Sequence, residues 1–459
     1  MSSPPRHVLL VSAPLQGHVN PILVLGRRLA SSGLLVTFVV IASNAILKLK
    51  HHHVVDDDDV GRGALRFEQL HGEGLWAPDD PRYRDIDDAA RHLDDVATPA
   101  VAALIRRQAD AGRPVTCVVS NAFAPWGLRA ACSVGVPGAM LWTQSCAVLS
   151  LYYRYFHSLA AFPSVEDATG PDAPVVDVVP GLITLTAGDL PALIHAPEEF
   201  VWRRALASDI LGIHETASWV LVNTFDELEH AAIQDLRTHL PILPVGPLFD
   251  DTENGDVEDE CTAWLDEHPP RSVVFVAFGS LVKLSRDEMA EVAAGLASTG
   301  RPFLWVVRHD SRDLLPADMA ASSGSSGVGK VVPWCEQRRV LAHRAVGCFV
   351  THCGWNSTTE ALAAGVPVVA YPAWSDQRTN AAFLVDVCGV GVRLPTPPTR
   401  VALRRCLEDV MRGTQEGEGM RAKADEWKGK AIAAVAEGGS SCSATRDFVG
   451  AVLSIGDGK

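Results

Sequence analysis

The densest concentration of chemically capable side chains lies in VPWCEQRRVLAHRAVGCFVTHCGWNSTTEALAAGVPVVAYPAWSDQRTN, which spans Val332 to Asn380. Cys348 to Thr351 reads as a strand leading into His352-Cys353-Gly354, and the segment from Asn356 reads as the start of a helix. A helix N-terminus offers unpaired N–H groups and the positive end of the helix dipole, which together accommodate phosphate without a metal. Asn356 and Ser357 add side-chain donors there, and His352 adds another. One turn on, Glu360 can accept from two ribose hydroxyls, and Trp334 offers a flat face to a base. Taken singly, Trp334 and Trp355 suit a core, Glu360 a solvated surface and His352 a structural hydrogen bond. Their joint spacing around one helix start favours a nucleotide site.

A second reactive point lies near the N-terminus. After a first strand comes Ala13-Pro-Leu-Gln-Gly-His18-Val-Asn20-Pro21, with Asn20 a suitable N-cap and Pro21 a suitable first helical residue. That arrangement places His18 in a loop at the mouth of a sheet. There a positive helix end favours a neutral imidazole able to accept a proton. The plainer reading is a histidine that pins the loop.

The elements that must position these groups are short β-branched strands alternating with helical stretches. The strands run Val8 to Ser12, Val36 to Ile41, Val115 to Val119, Val220 to Asn223, Val273 to Phe278, Phe303 to Val307, Cys348 to Thr351 and Val366 to Tyr371. Such a pattern predicts parallel sheets covered on both faces. The acidic stretch Asp250 to Glu260 separates two series of these units, so two domains are expected, with ligands in the cleft where their strand ends meet. A length of 459 residues with 47% hydrophobic content supports two cores.

The formal charge of −15 (40 basic against 55 acidic residues) opposes nucleic-acid binding or attachment to anionic lipid. No apolar run reaches the roughly 18 to 20 residues of a membrane span, and the N-terminus reads as a strand, not a signal peptide. A cytoplasmic protein is expected. Ten cysteines without zinc spacing, several in apolar runs (Cys117, Cys132, Cys348, Cys353), predict neither disulfides nor structural zinc. His51 to His53 with Asp56 to Asp59 reads as a solvated loop. Gly324 to Lys330 fits the front of a P-loop, but Val331 replaces the magnesium-holding Ser or Thr, leaving a Gly/Ser surface loop.

The 44 residues from Trp334 to Gln377, with W-x-x-Q, HCGWNS-x-x-E and W-x-D-Q, resemble the signature box of plant secondary-product UDP-glycosyltransferases. SVVFVAFGS, PFLWVVR, SWVLVNTFDELE and LPVGPLF extend the resemblance over nearly the whole chain. It implies an α/β glycosyltransferase B fold of two doubly wound, Rossmann-like domains facing a cleft. Residues 1–248 would bind the acceptor, 249–260 link, and 261–439 bind the UDP-sugar, with a C-terminal helix within 440–459 crossing back.

By the same resemblance Trp334 stacks on uracil, Gln337 and Glu360 bind ribose, and His352, Asn356, Ser357 and Ser280 hold the diphosphate. Asp376, Gln377 and Thr143 contact the sugar with Trp355 beside them, and the terminal Gln points to UDP-glucose as co-substrate. No metal or other cofactor is implied, and a monomer is expected. His18 matches the family's general base, while Asn121 stands where the family carries its partner aspartate. A neutral amide stabilises an imidazolium less than a carboxylate does, which handicaps hydroxyl acceptors. A carboxylic acid is already ionised and needs no base. NAFAPW, LWTQSCAVLSLYYRY and PGLITLTAGDLPALI likewise resemble the subgroup that forms glucose esters of hydroxycinnamic, hydroxybenzoic and auxin-type acids. The expectation is an inverting glucosyltransferase forming β-glucose esters. Transfer to phenolic, flavonoid or terpenoid hydroxyls is the alternative, and a catalytically impaired UDP-sugar binder a third.

Overall fold

The computed structural model describes residues 5–41, 58–60, 63–164, 175–179, 181, 184–249, 260–317, 319 and 329–455. The expected acidic linker, apart from its two ends, and Gly324 to Val328 lie outside these residues, as does the expected loop of His51 to His53 with Asp56 to Asp59 except Asp58 and Asp59, which belong to a short strand and not to a loop.

The first sheet comprises β1 (His7–Val11), β2 (Leu35–Val40), β3 (Asp58–Val60), β4 (Gly63–Gln69), β5 (Val115–Asn121) and β6 (Gly138–Trp142). After a short antiparallel ribbon, β7 (Val175–Val176) with β8 (Leu185–Thr186), it is completed by β9 (Trp219–Val222) and β10 (Ile242–Pro244). Its order is β10-β9-β6-β5-β1-β2-β4-β3, parallel except for the β3–β4 pair. The second sheet is wholly parallel and contains β11 (Val273–Ala277), β12 (Phe303–Val306), β13 (Gly329–Val332), β14 (Val346–Thr351), β15 (Val368–Ala370) and β16 (Gly391–Arg393). Its order is β13-β12-β11-β14-β15-β16. These are the two doubly wound, Rossmann-like sheets expected from the sequence.

Burial on both faces explains the continuous apolar strands. In β1, Val8 and Leu10 pack with Ile22 and Leu25 of the helix Gln16–Ser31, whereas Leu9 and Val11 pack with Leu93 and Val101 of the helix Ile86–Asp110. In β11, Val274 and Val276 face Met289 and Val292, while Phe275 faces Phe349 at 4.8 Å on the other side. Each sheet reverses its winding once, between β1 and β5 and between β11 and β14. At such switch points the chain leaves the strand ends in opposite directions and opens a crevice.

The helix Ser440–Ser454 lies on the first sheet, with Phe448 edge-on to Trp219 at 5.6 Å and Arg6 donating to the Leu453 carbonyl. Two expectations need correction. Gly329 and Lys330 belong to β13, not to a surface loop, because a Cβ at Gly329 would lie 2.0 Å from the Phe303 ring and only glycine lets the strand approach. Cys132, expected in an apolar environment, is exposed on the helix Pro125–Ser133. None of the ten cysteines is in a disulfide.

Candidate functional site

The two switch points deliver the expected site residues to opposite walls of one crevice. On the second-sheet side, β14 ends at Thr351 and turns through His352, Cys353 (φ +63°) and Gly354 into the helix Trp355–Ala364. The helix begins one residue before Asn356, and its N-cap is Gly354 with no side-chain cap, so no side chain competes for its first N–H groups. His352 sits between two glycine backbones: a Cβ at Gly279 would lie 2.4 Å from its Nε2, and one at Gly354 would lie 2.5 Å away. Burial pushes its imidazole down to about 4, so it is neutral at pH 7. Gly279 (φ +70°) leads into Ser280, which is exposed in the turn after β11.

Gln337 opens the helix Gln337–Ala342, capped by Glu336, and its Nε2 donates to Ser357 Oγ (2.8 Å) and Glu360 Oε2 (2.7 Å). The three expected ribose and phosphate residues are therefore already cross-linked. Burial pushes Glu360 up to about 7, with the Gln337 amide working against it. Trp334 is 51% exposed, as a stacking face requires, whereas Trp355 is 3% exposed and donates Nε1–H to the Asn223 carbonyl at 2.6 Å. Asp376 and Gln377 are buried at the start of the helix Gln377–Ala382. Asp376 accepts from Asn380 Nδ2 (2.7 Å) and is pushed up to about 6 by burial. Gln377 Oε1 accepts from the Ala373 and Trp374 N–H groups (both 2.9 Å), leaving its Nε2 as the end that can donate to a ligand.

On the first-sheet side the helix starts at Gln16, so His18 lies in its first turn and Asn20 and Pro21 lie inside it. This corrects the expected N-cap. The physical reason is that Pro21, lacking an N–H, leaves the Gly17 carbonyl without its helical donor, and Asn356 Nδ2 supplies one at 3.0 Å from across the crevice. The helix that carries His18 and the helix that opens at Trp355 are thereby joined directly. Asn223 adds a second tie, donating to Asn356 Oδ1 at 3.4 Å.

Asn121, at the end of β5, donates Nδ2–H to the His18 carbonyl at 3.2 Å, so it holds the backbone and not the imidazole. The group opposite His18 Nδ1 is Thr143 Oγ1 at 3.3 Å, and Phe123 meets the ring edge-on at 5.6 Å. Desolvation pushes the His18 imidazole down to about 4, which leaves it unprotonated and able to accept a proton at neutral pH. Phe123 occupies the left-handed region (φ +66°) and is fixed there by its N–H donating to buried Asp209 at 2.6 Å. Burial pushes that carboxyl up to about 8.

The two walls also meet through Asp189. Its carboxylate pairs with Arg393 at 2.5 Å, and its carbonyl accepts from Thr379 at 2.6 Å. Sequence reasoning missed Asn223, Asp209 and Asp189. Asn223 carried a signal, as a polar residue ending the strand in SWVLVNTF; Asp209, inside a helix, carried none.

Residues 223–420, which hold most of the second-sheet wall, match the family described as "UDP-glucoronosyl and UDP-glucosyl transferase". The chain is 40% identical to the gallate 1-beta-glucosyltransferase of Quercus robur, over 96% of its own length and 89% of the relative's. It belongs to this UDP-glycosyltransferase family. The transferase is also 38% identical to the cinnamate beta-D-glucosyltransferase of Fragaria ananassa, covering 98% of the chain and 83% of that relative. Its fold superposes on Os79 of O. sativa, solved in complex with UDP, with a TM-score of 0.82 and 30% identity over 97% of this chain and all of that one. A UDP-sugar is thus the donor substrate of the family to which these walls belong. Among the described residues no helix is long and apolar enough to cross a membrane.

Proposed function

We propose that the transferase moves glucose from UDP-glucose to the carboxylate of a small aromatic or auxin-type acid, inverting the anomeric centre to give a β-glucose ester. The observation that carries this reading is the neutral surrounding of His18: Thr143 opposes its Nδ1, and Asn121 is spent on its backbone. An imidazole with no carboxylate partner is a modest base but does not repel an anionic acceptor. The relatives named for gallate and cinnamate, both carboxylic acids, support the same acceptor class.

In the proposed reaction a carboxylate oxygen attacks the anomeric carbon from the face opposite the diphosphate. The bond to the β-phosphate oxygen breaks, and its electron pair leaves with UDP. No proton has to move. The uncapped N-terminus at Trp355, with His352, Ser357 and Ser280, stabilises the departing charge, so no metal is needed. Asn356 contributes its backbone N–H there while its amide ties the helices. Trp334 stacks on uracil, Gln337 and Glu360 bind ribose, and Asp376, Gln377 and Thr143 bind the sugar, with buried Trp355 setting their floor. Residues 1–248 with the C-terminal helix form the acceptor half, and 261–439 the donor half, acting as a monomer in the cytoplasm. Transfer to a hydroxyl is the second reading, favoured by an imidazole that is unprotonated at neutral pH.

The test is incubation with UDP-glucose and a panel of phenolic acids, auxins and flavonoids, followed by mild alkali. Ester glucosides are cleaved by alkali, while phenolic and alkyl glucosides survive. Alkali-stable products alone would overturn the ester reading, and no product from any acceptor would leave only a binding protein.

A further inference from the structure

Thr143 and Gln144 follow β6, and together they reach both walls of the crevice. Thr143 Oγ1 lies 3.3 Å from His18 Nδ1, and Gln144 Nε2 lies 3.4 Å from the hydroxyl of Ser375. Ser375 immediately precedes Asp376 and Gln377, and it is held in the left-handed region (φ +60°) while its carbonyl accepts from Ala192 N–H at 2.9 Å. The other end of the Gln144 amide, Oε1, is buried, and no hydrogen-bond donor reaches it among the described residues. A buried amide oxygen left without a donor costs on the order of 1–3 kcal/mol, so its retention at the junction of base and sugar loop calls for a donor that arrives with the substrate.

We propose that Gln144 Oε1 accepts a hydrogen bond from a hydroxyl of the transferred hexose, making Gln144 a donor-sugar ligand supplied by the acceptor half. This rests on the UDP-glucose reading above and adds to Thr143 a second sugar contact from the first-sheet side. Asp376 and Gln377 grip the sugar from one side and Gln144 from the other, so the hexose is fully bound only when the walls stand as close as they do here. A hexose hydroxyl fits because it donates to Oε1 while its own oxygen remains free to accept. A carboxylate acceptor does not fit, because it brings no proton to donate.

The experiment measures the dissociation constants of UDP-glucose and of UDP by calorimetry without acceptor, for the wild type, Gln144→Leu and Gln144→Glu. Gln144→Leu removes the acceptor and is expected to weaken UDP-glucose by roughly 5- to 20-fold while leaving UDP unchanged. Gln144→Glu keeps an oxygen acceptor and is expected to hold UDP-glucose within about 3-fold of the wild type. Gln144→Met serves in place of the leucine variant should that one fail to fold. An unchanged ratio of the two constants in Gln144→Leu, or an equal loss in Gln144→Glu, overturns the proposal. A wild type that binds neither ligand refutes the underlying donor reading instead, and a wrong acceptor class leaves the measurement intact.

Discussion

The two walls of the crevice solve their tasks by opposite means. The second-sheet wall is a polar network closed on itself, in which Gln337 bridges Ser357 and Glu360, Asn380 holds Asp376, and Gln377 secures its own loop. The first-sheet wall is aromatic around His18, with Phe123 against His18, Trp142 and Trp202, and its polar contacts, such as Thr143 on His18, Gln144 on Ser375 and Asn223 on Asn356, are single ties and not a closed network. A nucleotide has a fixed pattern of donors and acceptors, so its site can be a rigid complement. Acceptors vary, and an apolar wall with one titratable group accommodates many shapes while leaving the chemistry to the acceptor's own ionisation.

Replacing His18 breaks this comparison most severely. His18→Ala is expected to lower kcat for a hydroxyl acceptor by about 10²- to 10⁴-fold, the usual worth of a general base, and for a carboxylate acceptor by less than about 10-fold. KM for UDP-glucose should stay the same with both. Steady-state kinetics with one phenol and one carboxylic acid decide it; equal losses for the two acceptors would refute the division of labour.

On the donor wall, Glu360→Gln is expected to raise KM for UDP-glucose by roughly 10-fold with either acceptor, because an amide offers one acceptor oxygen where a carboxylate offers two. Its effect on stability runs the other way. Glu360 holds its proton more tightly folded, at about 7, than in its unperturbed state near 4.5. That stabilisation is full below the lower value and is lost as pH rises through the upper one. The variant should therefore melt higher than the wild type at pH 8 but not at pH 4.5.

The same contrast governs how much was legible in the sequence. All eight strands expected from β-branched runs are present, with ends displaced by no more than two residues, because buried parallel strands announce themselves as unbroken apolar runs. Those that escaped notice, such as Gly138–Trp142 and Gly329–Val332, open on glycine or lack β-branching and owe their extension to a neighbouring strand. The second-sheet wall was legible because Trp334, Gln337, His352, Ser357 and Glu360 lie within 27 residues, on two consecutive strand–helix units. The acceptor wall was not, since its contacts join residues far apart in the chain: Asn121 with His18, Phe123 with Asp209, Gly17 with Asn356. Local rules made Asn20 a cap and Pro21 a first helical residue. A donor 339 positions away changed that outcome.

Asn121→Asp sharpens the acceptor side with a smaller effect. The aspartate would set an oxygen against the His18 carbonyl in place of a donor, losing about 1 kcal/mol of hydrogen bonding, and its charge would raise the imidazole pKa. Hydroxyl transfer should rise a few-fold and ester formation fall a few-fold, read as the ratio of the two products in one competition assay. A rise in ester formation without one in hydroxyl transfer would overturn the electrostatic account of this residue.

The smallest expected signal is proton release on donor binding, and it separates the parts of the donor wall. Hydroxyls donating to Glu360 favour its ionised form, so binding must lower a pKa that burial has pushed up to about 7. UDP should then release part of a proton near pH 7 and none by about pH 9, where the free enzyme has already lost it. In the proposed site Asp376, pushed up to about 6, faces the sugar and not the UDP, so UDP-glucose should add a second release centred lower, near pH 6, that UDP cannot evoke. Binding enthalpies in buffers of different ionisation heat give both numbers. Glu360→Gln should abolish the first release and leave the second intact, and a UDP signal unaltered by that substitution would remove Glu360 from the ribose site.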